Sequence, residues 1–173
     1  MNFRVLLLAF LIIQPSMAAP PDMPAFVADY LERAGLDYEV PHGQFDEYLL
    51  VVFGEQNDPE PWAIVADFNG DNILDWSGLM RDREGRLVLM VVYSDRRYFS
   101  HQILTYLGSD GDNLDTAVVL EPAGQIIGFP LDDEEESPTI TTTNPAVHLL
   151  YFEKASVLYY WEDGAFREFV TSD

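Results

Sequence analysis

Nine consecutive residues, Asp67-Phe68-Asn69-Gly70-Asp71-Asn72-Ile73-Leu74-Asp75, place side-chain oxygens at the first, third, fifth and ninth positions. That alternation lets a short loop curl around one hard cation such as Ca²⁺, which takes about six to eight oxygen ligands. Asp67, Asn69, Asp71 and Asp75 would supply the side-chain ligands, and the Ile73 carbonyl would fill the seventh position. Gly70 and Asn72 stand where the backbone must bend, and both residue types tolerate left-handed conformations. Three carboxylates held this close repel unless a cation or solvent neutralises them. The competing reading is a hydrated, Asx-rich turn, which is common chemistry between strands. The twelfth position is Gly78 rather than Glu, so the loop is no EF-hand.

The run D-F-N-G-D-N-I-L-D-W between two apolar stretches resembles the calcium loop of FG-GAP/VCBS-type repeats, the blades of integrin-like β-propellers, with their D-x-N-x-D-G-x-x-D pattern. It is also similar to small exported bacterial proteins of unknown function that carry one copy of the loop followed by an aromatic, as Trp76 follows here. The resemblance spans residues 62–80 and implies ligands at Asp67, Asn69, Asp71 and Asp75, with Asn72 in place of the usual Gly. It does not imply a propeller, which needs at least about four blades of four strands. One copy points instead to a loop grafted onto a single-sheet or sandwich-like domain. The segments 152–156 and 161–164 are similar to the ends of the same exported proteins, which brings no function with it.

The elements that must hold this loop are mostly strands. Residues 22–34 form the one expected helix, with Asp22 as cap, Pro24 in the first turn, and Phe26, Val27, Tyr30, Leu31 and Ala34 on one face before Gly35 stops it. Strands are expected over 47–53, 62–66, 75–81, 86–93, 98–107, 116–120, 125–129, 147–152, 156–161 and 165–170. Leu87 to Tyr93 is apolar throughout, the mark of a central strand covered on both faces. Asp163-Gly164 is a strong hairpin turn signal. Residues 130–146, with the acidic block 132–136, read as an exposed acidic loop. A second run, Asp110-Gly111-Asp112-Asn113-Leu114-Asp115, has irregular ligand spacing and reads as a plain turn. The expected fold is α+β and mostly antiparallel β, with one N-terminal helix packed on a sheet or sandwich-like core.

Residues 1–18 read as a signal peptide: a basic start at Arg4, an apolar run from Val5 to Ile13, and Ser16-Met17-Ala18 as a small-x-small cleavage site. A span needs roughly 20 apolar residues, so no membrane insertion is expected after cleavage. Residues 19–173 then form a single β-rich domain, periplasmic or extracellular. The absence of cysteine excludes disulfides, thiolate metal sites and cysteine nucleophiles. Nine Lys+Arg against 30 Asp+Glu give a formal net charge of -21. Such a polyanion is repelled by nucleic acid and by anionic membrane surfaces. It suits cations, or a cationic protein partner, although solubility alone also accounts for the charge.

Nothing in the sequence assembles a catalytic site. His42, His101 and His148 lie far apart, and no H-E-x-x-H, G-x-S-x-G, Walker loop or G-x-G-x-x-G occurs. The aromatic residues near the C-terminus, Tyr151, Phe152, Tyr159, Tyr160, Trp161, Phe166 and Phe169, are expected to pack the core, with an exposed binding face as the alternative. The expected function is therefore an exported acidic binding protein with a structural Ca²⁺ loop. The alternative is an acidic inhibitor or immunity-type protein that neutralises a cationic enzyme, and a hydrolase is the third class.

Overall fold

The computed structural model describes residues 23–41, 44–45, 62–108, 113–130, 136–152 and 154–172. The signal segment, the strand expected over 47–53, His42, residues 110–112 and the acidic residues 132–135 lie outside the described residues.

One helix, α1 (Ala25–Ala34), is followed by twelve strands among the described residues: β1 (Gln44–Phe45), β2 (Ala63–Ala66), β3 (Asp75–Arg81), β4 (Leu87–Ser94), β5 (Phe99–Gly108), β6 (Asn113–Leu114), β7 (Thr116–Glu121), β8 (Gln125–Ile127), β9 (Thr139–Thr141), β10 (Ala146–Tyr151), β11 (Ala155–Glu162) and β12 (Ala165–Ser172). The fold is α+β and mostly antiparallel. Two four-stranded antiparallel sheets, ordered β2-β3-β4-β5 and β12-β11-β10-β7, carry the architecture. A short β8–β9 ladder and a parallel β1–β6 pair complete it.

The sequence expectations need two corrections. The helix begins at Ala25 with Pro24 at the cap position, so Pro24 stands before the first turn and not inside it, while Asp22, the expected cap, lies outside the described residues. Proline lacks the N–H a helix interior would use, which suits it to that boundary. Its carbonyl accepts the Val27 and Ala28 amides. Residues 130–146 are not all loop, because Thr139–Thr141 pair with Gln125–Ile127 and Thr142 is buried. At the other end of α1, Gly35 has φ +66°, the left-handed turn that ends helices.

Residues paired across strands share a face, so a few contacts assign both faces of the first sheet. Phe99 stacks on Phe26 and His101 meets Tyr30, which turns their ladder mates Ser94, Val92, Trp76 and Gly78 toward the helix. Tyr93 packs its ring against Trp161 and Phe166 of the second sheet. That turns Val91, Leu89, Ser77, Leu79 and Asp75 toward the layer between the sheets. With the helix on one side and the second sheet on the other, Leu87 to Val92 are all buried. One core cluster runs from Val27 and Leu31 through Trp76 and Leu89 to Leu149 and Tyr159. The C-terminal aromatics contribute to it, with Tyr159 and Phe166 buried and Tyr151 and Trp161 packed against it.

Candidate functional site

The acidic loop joins β2 to β3, and its ends are fixed by the pairing of Ala66 with Asp75. Asp67 turns both carboxylate oxygens back onto the loop. Oδ1 accepts the amides of Gly70 at 2.7 Å and Asp71 at 3.1 Å, and Oδ2 accepts Asn72 at 2.8 Å. Asn69 Oδ1 also accepts the Asp71 amide, and Asp71 Oδ1 accepts that of Ile73 at 2.8 Å. Short Asx side chains can satisfy backbone donors locally, which is why this composition folds as one tight curl. Gly70 at φ +76° and Asn72 at φ +66° take the left-handed positions.

Asp75 behaves differently from the other acids. It is fully buried, with Oδ2 accepting the Phe68 amide and Oδ1 accepting the Ser94 amide, both at 2.9 Å. Burial pushes its pKa up to about 6, against the pull of the Ser94, Phe68 and Asn69 amides, and nearby Asp71 adds to the rise. Asn69 donates its side-chain amide to the Ser94 carbonyl, a second tie from the loop to the end of β4.

Asp71 Oδ2 is buried and has no hydrogen-bond partner among the described residues. A buried carboxylate oxygen without a donor carries a desolvation cost that a cation would relieve. The donor set is all oxygen, the type a hard cation such as Ca²⁺ selects. Among the described residues, however, no three His, Asp or Glu side chains converge as a ready-made metal cluster. Asp67, Asn69, Asp71, Ile73 and Asp75 share one loop, yet most of the carboxylate oxygens point at backbone N–H groups.

The two described histidines lie elsewhere and apart. His101 Nδ1 meets the Tyr30 hydroxyl at 2.8 Å between β5 and α1, and burial lowers its pKa. His148 on β10 lies 2.8 Å from Thr171 Oγ1 and 3.4 Å from a Glu121 oxygen. Burial lowers its pKa too, while Glu121 pulls it upward. Carboxylate, imidazole and hydroxyl thus stand in a row that sequence spacing gave no sign of. Thr171 Oγ1 also lies 3.0 Å from the Ser156 carbonyl and meets Ser156 Oγ at 2.6 Å, while Ser156 Oγ meets Ser172 Oγ at 2.7 Å. The His148 ring and these hydroxyls therefore link β10, β11 and β12, with Thr171 Oγ1 within hydrogen-bond reach of the Ser156 carbonyl.

A shallow groove of about 310 Å³ lies at the far end of β3 from the acidic loop, beside the β3–β4 turn. Its charges are paired, Arg83 with Asp37 at 2.9 Å and Arg86 with Asp82 at 2.7 Å. Among the described residues its lining includes no histidine, serine, threonine or lysine. No protein-family description, curated protein or solved structure matches this chain.

Proposed function

We propose that this is an exported acidic binding protein whose Asp67–Asp75 loop holds Ca²⁺ as a structural fastening. The observation that carries the reading is Asp71 Oδ2, a buried carboxylate oxygen with no donor among the described residues. It sits in a loop whose ligand-type oxygens fall at alternate positions. Asp67, Asn69, Asp71, the Ile73 carbonyl and Asp75 would hold the ion, which would neutralise the clustered charge when bound. A carboxylate oxygen that accepts one N–H keeps a lone pair for a cation. The chain itself supplies the rest: ladder pairing fixes the loop ends, and Asp75 ties the loop to the end of β4. Export rests on the N-terminal pattern of residues 1–18.

Extracellular calcium modules bind at about 10⁻⁴–10⁻³ M. At 1 mM Ca²⁺ and a Kd of about 0.1 mM, the ion would add roughly 1.4 kcal/mol of stability. Calorimetric melting in EDTA and in millimolar calcium tests this. The expected result is a rise in Tm on adding calcium that disappears in Asp71→Ala. An identical Tm in both buffers would favour the hydrated turn.

The alternative reading, an acidic inhibitor of a cationic enzyme, rests on the charge of the chain as a whole. Leu74, 60% exposed, and Tyr98, 71% exposed, belong to the loop and to the neighbouring β4–β5 turn, on a chain of net charge -21. Exposed aromatic and aliphatic side chains on a strongly charged body suit an oppositely charged protein surface. Pull-down from extract at low and high salt tests it, and recovery of no salt-sensitive cationic partner counts against it.

A further inference from the structure

Every strand of the second sheet contributes to one row of hydrogen-bonding side chains. Glu121 comes from β7, His148 from β10, Ser156 from β11, and Thr171 and Ser172 from β12. His148 alternates with Val147 and Leu149, which belong to the core between the sheets, so its ring stands on the sheet's other face.

A bulge makes the convergence possible. Val157 pairs with Val170 and Ser156 with Ser172, so Thr171 is an extra residue that the ladder skips. An extra residue interrupts the alternation of faces and re-aims the side chains around it. Thr171 and Ser172 therefore both bring hydroxyls to the His148 side. Thr171 Oγ1 is 2.8 Å from His148 Nε2 and 2.6 Å from Ser156 Oγ, and Ser172 Oγ is 2.7 Å from Ser156 Oγ. Glu121 meets the other ring nitrogen, Nδ1, at 3.4 Å.

Two arrangements of the protons complete this row. With the ring neutral, Nδ1–H points at the Glu121 carboxylate, because a bare Nδ1 would set a lone pair against an anion. Nε2 then accepts the Thr171 O–H, Thr171 Oγ1 accepts from Ser156, and Ser156 Oγ accepts from Ser172. With the ring charged, both nitrogens donate. Thr171 Oγ1 then accepts from Nε2 and sends its own proton to the Ser156 carbonyl, 3.0 Å away. Ser156 is left to donate to Ser172. Both states satisfy the ring, and their hydroxyls run in opposite directions.

We infer that His148 is a pH switch for the C-terminal strand: uptake of one proton reverses the row of hydroxyls that links β12 to β10 and β11. The switch stands apart from the acidic loop and does not depend on calcium. Among the described residues, β7 presents Val119 and Glu121 to the ring, β11 presents Leu158 and Ser156, and β12 presents Thr171. Glu121 is the one titratable group of these. Lys154 is turned to Asp115, and Arg167 pairs with Tyr160 further along β12. Burial lowers the His148 pKa, and Glu121 pulls it back upward by less. The charged ring therefore weakens the fold, and acid loosens this fastening.

Imidazole ¹⁵N NMR of the full chain from about pH 8 to about pH 4 reads the ring, and amide hydrogen exchange at residues 170–172 reads the strand. Wild type, Thr171→Val and Thr171→Ser are compared. The neutral ring is expected to carry its proton on Nδ1. As it charges, protection of the three amides, corrected for intrinsic exchange, should fall severalfold with the His148 midpoint. Thr171→Val removes the acceptor that the charged ring needs, so His148 should titrate at lower pH there, and Thr171→Ser should restore the midpoint. His101, held between β5 and α1, should titrate alike in all three. A neutral ring protonated at Nε2 overturns the inference, as does a His148 midpoint that Thr171→Val leaves unmoved. Protection that stays level through the His148 titration overturns it too, because the ring would then titrate without operating the strand. The wild-type readings decide the matter even where Thr171→Val does not fold.

Discussion

The Asp75 carboxylate accepts the backbone N–H of Ser94 at 2.9 Å, from a position that is fully buried. Since the other Asp75 oxygen takes the Phe68 amide, one side chain joins the start of the acidic loop to the end of the neighbouring strand. Asp75→Asn keeps the shape but faces one of those two N–H groups with an NH₂. A buried donor without an acceptor costs about 1–3 kcal/mol, so urea unfolding of Asp75→Asn should show a loss of that size. Wild-type stability in the variant would mean that the two amides find other acceptors.

The same carboxylate sets a pH dependence with a definite sign. Its folded pKa is raised from 3.8 to about 6, so the folded chain holds this proton more tightly than the unfolded chain does. Its contribution is therefore fully present below about pH 3.8 and is lost as pH rises through about 6. His101 and His148, whose pKa values burial lowers, act in the opposite direction and favour the fold as pH rises through their range. Comparing wild type with Asp75→Asn from pH 3.5 to 7.5 in EDTA isolates the Asp75 slope. Calcium, by favouring the ionised carboxylate, should flatten it.

Gly78 is covered by the indole of Trp76. A Cβ there would lie 2.5 Å from Trp76 Cζ2 and 2.9 Å from Ala63 Cβ. Overpacking a core of this kind costs about 1–3 kcal/mol. Gly78→Ala should lower stability by that amount and shift tryptophan emission. Gly85→Ala is the comparison: nothing lies within 4 Å of its Cβ, and at φ +77° the cost should be that of left-handed backbone alone, about 1–2 kcal/mol. Emission should not change in that variant.

Helix α1 is held to β5 by the Tyr30 hydroxyl on His101 Nδ1 and by the Phe26–Phe99 stack, with ring centroids 5.3 Å apart. Tyr30→Phe removes the hydrogen bond and leaves the ring. The expected loss is about 0.5–1.5 kcal/mol, and His101 should titrate at a changed pH by NMR. An unchanged His101 titration would show that the hydroxyl does not act on the imidazole.

Much of the fold was legible because strand periodicity is local. The fully apolar run Leu87 to Tyr93 announces a strand covered on both faces, and the structure supplies a helix on one side and a sheet on the other, with Leu87 to Val92 buried and Tyr93 half-buried. Asp163-Gly164 announces the β11–β12 turn in the same way, with Asp163 at φ +52° and Gly164 at φ +81°. The strand Thr139–Thr141 was hidden because Pro138 and the acidic block dominate the composition around it, while its pairing partner lies beyond that block. In the candidate site, the curl of residues 67–75 could be read from its Asx and Gly positions. The inward turn of Asp75 could not, since it depends on Ser94 of another strand. Nor could the row from Glu121 through His148 to Thr171, because contacts between distant segments leave no periodic trace in the chain.

Trp76 follows Asp75 without a spacer and meets Trp62 edge-on, with ring centroids 6.2 Å apart. The chain therefore carries an optical gauge wired to the acidic loop. Any event that moves Asp75 must disturb an indole pair sealed from water, and emission colour and anisotropy will register it without an attached dye. A stopped-flow instrument could then time the loop's response to an added cation in the unlabelled protein.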